Sequence, residues 1–190
     1  MILESKPYKM TNHIQNYEWG TRGRNAFIPS LLGFVGDDKP YAELWIGAHP
    51  KLSSDIIIDD KNIQLEKLIK KYPDEILGRF IKEKFGKNIP FLLKVLSANK
   101  ALSIQTHTNK EQAILLHNID SDNYPDENHK PEIAIALDYL KALVGFRNIE
   151  EIENNLNKYK ALHEFIGEHV ISYFENNRNR KGLKYLFSKF

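Results

Sequence analysis

Pro90-Phe91-Leu92-Leu93-Lys94-Val95-Leu96 is followed, across Ala98-Asn99-Lys100, by Leu102-Ser103-Ile104-Gln105-Thr106-His107. Two short apolar-rich runs separated by turn-forming residues read as two β-strands. Side chains alternate across a strand, so in the second run Ser103, Gln105 and His107 share one face while Leu102, Ile104 and Thr106 point to the other. A face made of a hydroxyl, an amide and an imidazole is the first sign of a site. By itself the Gln-x-His pair fits either a metal-binding pair or a polar strand face open to water. In the first run an uncompensated Lys94 ammonium among apolar neighbours would be costly, which predicts an anionic partner for it.

Towards the N-terminus, Ala42-Glu43-Leu44-Trp45-Ile46-Gly47 and Asp55-Ile56-Ile57-Ile58-Asp59 read as further short strands between turn signals. Leu65, Leu68 and Ile69, then Ile76, Leu77, Phe80 and Ile81, recur at helical spacing, and Pro73 with Asp74 is well placed to start a second helix. Towards the C-terminus a helix is expected near Lys110 to Leu116, then a loop rich in Asp, Asn and Pro from Asn118 to Lys130. Two more apolar segments follow, Ile133 to Leu137 and Leu140 to Phe146. Beyond Asn148 the apolar residues Ile149, Ile152, Leu156, Leu162, Phe165, Ile166, Val170 and Phe174 take up helical spacing. This change of period predicts a boundary between residues 1–148 and 149–190. The run Asn176 to Lys181 reads as a solvated connection between helices.

A chain of 190 residues can bury a substantial core. Its 42% hydrophobic and 27% charged residues are ordinary for a globular protein, and no stretch approaches the roughly 18 apolar residues of a membrane-spanning helix. A net charge of +2 gives no field that would argue for nucleic acid or an anionic membrane surface, so a small-molecule partner in a pocket is expected. There are no cysteines, which rules out disulfides and thiolate metal sites and leaves His, carboxylate and amide ligands. The start, Met1 to Lys6, lacks the pattern of a secretory leader, so the cytoplasm is the expected compartment.

A second chemical cue is Glu127-Asn128-His129-Lys130-Pro131-Glu132. Pro131 fixes the backbone just before Glu132 and disfavours helix at Lys130, so the turn can hold both side chains as the chain leaves a loop. A charged surface turn is the other reading. His13, His49, His117, His163 and His169 lie outside any ligand-like pair and are expected in surface or packing roles, with His129 orienting its loop.

Taken in order, Tyr17-Glu18-Trp19-Gly20, Ala42 to Gly47, Pro90 to Leu96, Leu102 to His107, Asn128 to Glu132 and Ala142-Leu143-Val144-Gly145-Phe146-Arg147 closely resemble the motifs of type I mannose-6-phosphate isomerases. The resemblance covers residues ~10 to 148 closely and the helical remainder loosely. It implies a mainly β fold with α, a cupin-type jelly-roll β-sandwich that is incomplete here, followed by the start of a helical domain. It also implies that Gln105, His107 and Glu132 are zinc ligands, that Ser103, Lys94, Trp19 and Glu43 line the sugar-phosphate pocket, and that Lys130 serves catalysis. For Trp19, packing in a core or turn is the other reading.

The reaction the resemblance implies interconverts mannose 6-phosphate and fructose 6-phosphate, moving a proton between C1 and C2 while charge is held on the adjacent oxygens. The family pattern needs a further His ligand and an Arg far downstream, and this chain reaches Phe190 before either. The expectation is therefore an N-terminal portion with an incomplete active site. The competing readings are a non-catalytic cupin-like module that binds zinc or sugar phosphate, and a structural fragment with a vestigial pocket.

Overall fold

The computed structural model describes residues 3, 4 and 6–189; Met1, Ile2, Ser5 and Phe190, which include part of the N-terminal start read above, lie outside the described residues. In chain order the elements are β1 (Met10–Thr11), β2 (His13–Gln15), α1 (Phe27–Leu31), β3 (Glu43–Ile46), β4 (Ala48–His49), β5 (Leu52–Ser53), β6 (Asp55–Ile58) and β7 (Lys61–Gln64). There follow α2 (Leu65–Lys71), α3 (Pro73–Phe85), β8 (Leu93–Leu96), α4 (Lys110–Ile119), α5 (Ile149–Lys158), α6 (Lys160–Ile166), α7 (Glu168–Asn176) and α8 (Arg180–Phe187). The fold is mixed α/β, with small antiparallel sheets. The chain divides into two compact units, Met1–His129 and Lys130–Phe190.

In the first unit, β2, β3 and β8 form an antiparallel sheet with β3 in the centre. Its register pairs His13 with Trp45 and Gln15 with Glu43 on one side of β3, and Lys94 with Trp45 and Leu96 with Glu43 on the other. Because residues paired across an antiparallel ladder share a face, Ile14, Leu44, Ile46 and Val95 lie together on the opposite side. There they pack with Ala26, Ile28 and Tyr41 as one hydrophobic core. One face of this sheet is thus committed to stability, and the other is left for polar and aromatic side chains.

A second antiparallel sheet, β1-β6-β7, packs Ile56 and Ile58 against Leu65, Leu68 and Ile69 of α2. Pro73 starts α3, where its missing N–H costs nothing. Gly78 breaks that helix with φ of 74°, a conformation open to glycine. Helix α4 begins with a capping box in which Asn109 and Gln112 satisfy each other's backbone N–H groups.

In the second unit, α5 to α8 enclose Leu156, Ile166, Val170, Ile171, Phe174 and Leu186. The connection between α7 and α8 is more than a solvated link. Arg178 grips the buried Glu153 carboxylate through two nitrogens, its Nε at 2.6 Å, and Asn179 caps α8 by accepting from the Lys181 N–H at 2.9 Å. The Arg178 hydrogen bonds hold the Glu153 carboxyl below its usual pKa. Opposite in sign, His163 is raised above its ordinary value, chiefly by the Glu168 carboxylate 2.8 Å from Nε2.

The expected strand Leu102–His107 is absent, and the two apolar segments further on form no strand either. Leu102–His107, Ile133–Leu137 and Leu140–Phe146 run as irregular chain, and the mainly β expectation gives way to a fold in which helices carry more residues than strands. Alternating side chains make a strand only when a neighbouring backbone accepts its hydrogen bonds, and none pairs with these segments among the described residues. Their apolar side chains stand in solvent instead, Ile104 at 97% and Leu143 at 91% exposure. No helix of the described residues is long and apolar enough to cross a membrane.

Candidate functional site

The polar face of the β2-β3-β8 sheet gathers His13 and Gln15 from β2, Glu43 and Trp45 from β3, and Lys94 from β8. Glu43 and Trp45 are two residues apart on the central strand, so their side chains leave it on the same side, and both are buried. The Trp45 indole Nε1–H donates to Glu43 Oε2 at 2.6 Å. Lys94 Nζ lies 3.4 Å from the same oxygen and 4.7 Å from the centre of the Trp45 ring. The anionic partner expected for Lys94 is therefore Glu43, and the indole supplies a second, cation–π, contact. A charge pair with a hydrogen-bond donor on one side and a ring beneath the cation is held in place rather than free to wave.

Trp19 reaches this region through the backbone. Gly20 bridges to Ala98, and Asn99 N–H donates to the Trp19 carbonyl at 2.8 Å, so the segment runs beside the end of β8. A Cβ at Gly20 would sit 2.6 Å from the Ala42 nitrogen, which explains the glycine: only a residue without a side chain lets this segment close on β3. Trp19 is half-buried and stacks on Tyr17 with ring centres 5.8 Å apart and planes 26° from parallel. Burial, then the charge of Glu43, raises the Tyr17 phenol above its usual pKa. Together Tyr17 and Trp19 form an aromatic edge to the Glu43 region.

The remaining expected site residues are less organised. Ser103, Gln105 and His107 are exposed and lie on irregular chain of the first unit, so the strand that was to aim them to one side is not formed. Lys130 and Glu132 are exposed residues of the second unit. Among the described residues no group of three or more His, Cys, Asp or Glu side chains is placed to hold a metal ion. The chemistry of the donors in Gln105, His107 and Glu132, amide oxygen, imidazole nitrogen and carboxylate, nevertheless suits zinc.

Trp45, His13 and Gln15 belong to this face without having been marked as site residues, and His49, expected in a surface or packing role, packs against it from β4. The parity of Glu43 and Trp45 on one strand was the available signal for the first. The others required strand pairing and packing: His13 is opposite Trp45 and 3.4 Å from Asp55, while the His49 ring stands edge-on to Trp45 at 4.8 Å. Of the other histidines, His117 meets the Tyr124 carbonyl at 2.6 Å, His163 the Glu168 carboxylate, and His169 the Tyr185 ring.

A family model described as the phosphomannose isomerase type I catalytic domain matches residues 8–149. The mannose-6-phosphate isomerase of Candida albicans is 37% identical over 99% of this chain and 47% of its own length, and that of Homo sapiens is 42% identical over 85% and 40%. A crystal structure of a phosphomannose isomerase mutant from Salmonella typhimurium superposes with a TM-score of 0.78 at 34% identity, covering 95% of this chain and 45% of the other. The chain thus spans less than half the length of the curated relatives it matches.

Proposed function

Since the chain belongs to the phosphomannose isomerase type I family, we propose that it carries the N-terminal part of a site that interconverts mannose 6-phosphate and fructose 6-phosphate. The observation that carries this reading is the Glu43–Trp45–Lys94 arrangement, a buried carboxylate and a partly exposed ammonium on the one sheet face not used for the core. The fold we assign to the whole domain is the cupin-type jelly roll, with the apolar segments 102–107, 133–137 and 140–146 as strands that pair when further strands are present. Their alternation of apolar side chains and their exposure here support that assignment.

Lys94 offers an ammonium to an anionic sugar phosphate while Glu43 holds the cation in position. The Ser103 hydroxyl can donate to a phosphate or sugar oxygen, and Trp19 supplies an apolar face to the sugar. Gln105, His107 and Glu132 would hold a zinc ion, which supplies Lewis-acid polarisation of the sugar oxygens. Lys130 is suited to stabilising developing oxyanion charge or to taking part in proton transfer.

Titration of the 15N-labelled chain with mannose 6-phosphate tests the proposal. Resonances of Glu43, Trp45 and Lys94 should shift together and saturate; a titration in which none of them moves would remove the sugar phosphate from this face. Turnover is measured on the same sample with added zinc, and we expect little, because transition-state stabilisation is lost when part of a pocket is missing. Binding without turnover by the complete protein would instead favour the non-catalytic module.

A further inference from the structure

We propose that Trp45 is the positioning residue of this face, acting through Glu43 and Lys94 rather than touching the reacting atoms; the role rests on the sugar-phosphate reading above. A tryptophan serving only to fill a core needs no charged partner for its indole N–H. Here Nε1–H donates at 2.6 Å to the carboxylate oxygen that also lies 3.4 Å from Lys94 Nζ, and the ring itself lies under that ammonium. One side chain thereby constrains both members of a charge pair that come from different strands.

The surroundings fix the indole in turn. Trp45 is 8% exposed, sits on the central strand between His13 and Lys94 in the ladder, and meets the His49 ring edge-on. Its own rotamer is thus set by packing on several sides, which is what a group needs if it is to orient others. Glu43 lacks this support from its own strand, since its paired neighbours are Gln15 and Leu96, neither of them cationic. Without the indole N–H, the carboxylate keeps the partly exposed Lys94 as its ion-pair partner, and the ammonium loses a fixed counter-charge.

The chain holds two tryptophans, so its indole N–H region contains two side-chain resonances and Trp45→Phe assigns them. Phe keeps a ring beneath Lys94 and deletes only the donor. We expect Glu43→Ala to move the Trp45 indole resonance, and Trp45→Phe to weaken mannose 6-phosphate binding about tenfold, the usual effect of losing one hydrogen bond to a charged group. In a Glu43→Ala background, Trp45→Phe should then cost almost nothing more, because a residue acting through Glu43 has nothing left to orient.

A Trp45 resonance unmoved by Glu43→Ala would overturn the proposal, as would unchanged affinity in Trp45→Phe or fully additive losses in the double variant. If Trp45→Phe does not fold, the wild-type indole decides: it must shift as mannose 6-phosphate saturates, and a stationary resonance alongside shifts elsewhere on the face sinks the role. Failure of the wild-type chain to respond anywhere to the ligand would bring down the sugar-phosphate reading itself, and the positioning role with it.

Discussion

Replacing Lys94 with Met removes the ammonium and keeps most of the side-chain length, so it isolates the electrostatic part of the pair with Glu43. At the 3.4 Å separation of Nζ and Oε2, Coulomb's law gives about 5 kcal/mol at an effective dielectric of 20 and about 1 kcal/mol in water. The two ends of the pair differ: the Lys94 side chain is 32% exposed and that of Glu43 only 10%. Water at the ammonium screens the pair, so the net coupling should lie near the lower bound, about 1–2 kcal/mol. The single Lys94→Met change should cost somewhat more, about 2 kcal/mol, because it leaves a buried carboxylate with the Trp45 N–H as its remaining strong partner. Urea unfolding of wild type, Lys94→Met, Glu43→Gln and the double variant measures both quantities, with the combined emission of Trp19 and Trp45 as the probe. A coupling energy within about 0.3 kcal/mol of zero would mean that the two side chains merely pass close to one another, and the argument for a held ammonium would fail.

Three further outcomes follow from the same structure. Gly20→Ala should destabilise the first unit by about 1–3 kcal/mol, since the new Cβ would meet the backbone of Tyr41 and Ala42, which cannot move without opening the sheet; an unfolding midpoint equal to wild type would refute this. Below the range where Arg178 titrates, the helical unit should be most stable between the ordinary pKa values of its two other perturbed groups, 4.5 for Glu153 and 6.5 for His163. The depressed Glu153 contributes stability above 4.5 that is lost as pH falls through its folded pKa, and the raised His163 contributes below 6.5 and loses it as pH rises through its own. Thermal melts followed by helical circular dichroism should show this maximum, and a Glu153→Gln chain with an undiminished acid-side slope would contradict the assignment. In a protein that includes the rest of the family's length, Lys130→Met should lower turnover by about two to three orders of magnitude while zinc content and folding persist, and near-normal kinetics would leave Lys130 a surface turn residue.

Local signals in the sequence carried the elements whose stability is local or whose partners lie close by. Pro73 and the spacing of Leu65, Leu68 and Ile69 announced α2 and α3, and the change of period at Ile149 announced the helices that follow. The short apolar-rich runs between turn signals at Ala42–Gly47 and Phe91–Leu96 announced β3 and β8, each of which has one face in the core. The alternation in Leu102–His107 did not produce a strand. Pattern determines which face a strand would bury, but a strand exists only where another backbone completes its hydrogen bonds, and that is a property of the whole fold.

The site divides along the same line. Residue chemistry alone marked Lys94 as needing an anion, and motif order marked Glu43 and Trp19. Only the ladder register could show that the anion is Glu43 from the neighbouring strand, that Trp45 joins the two, and that Gly20 is there to let the Trp19 segment approach β3. Composition and spacing specify which groups a chain can offer, whereas distances between groups far apart in sequence arise when strands pair, and it is those distances that turn a carboxylate, an indole and an ammonium into one arrangement.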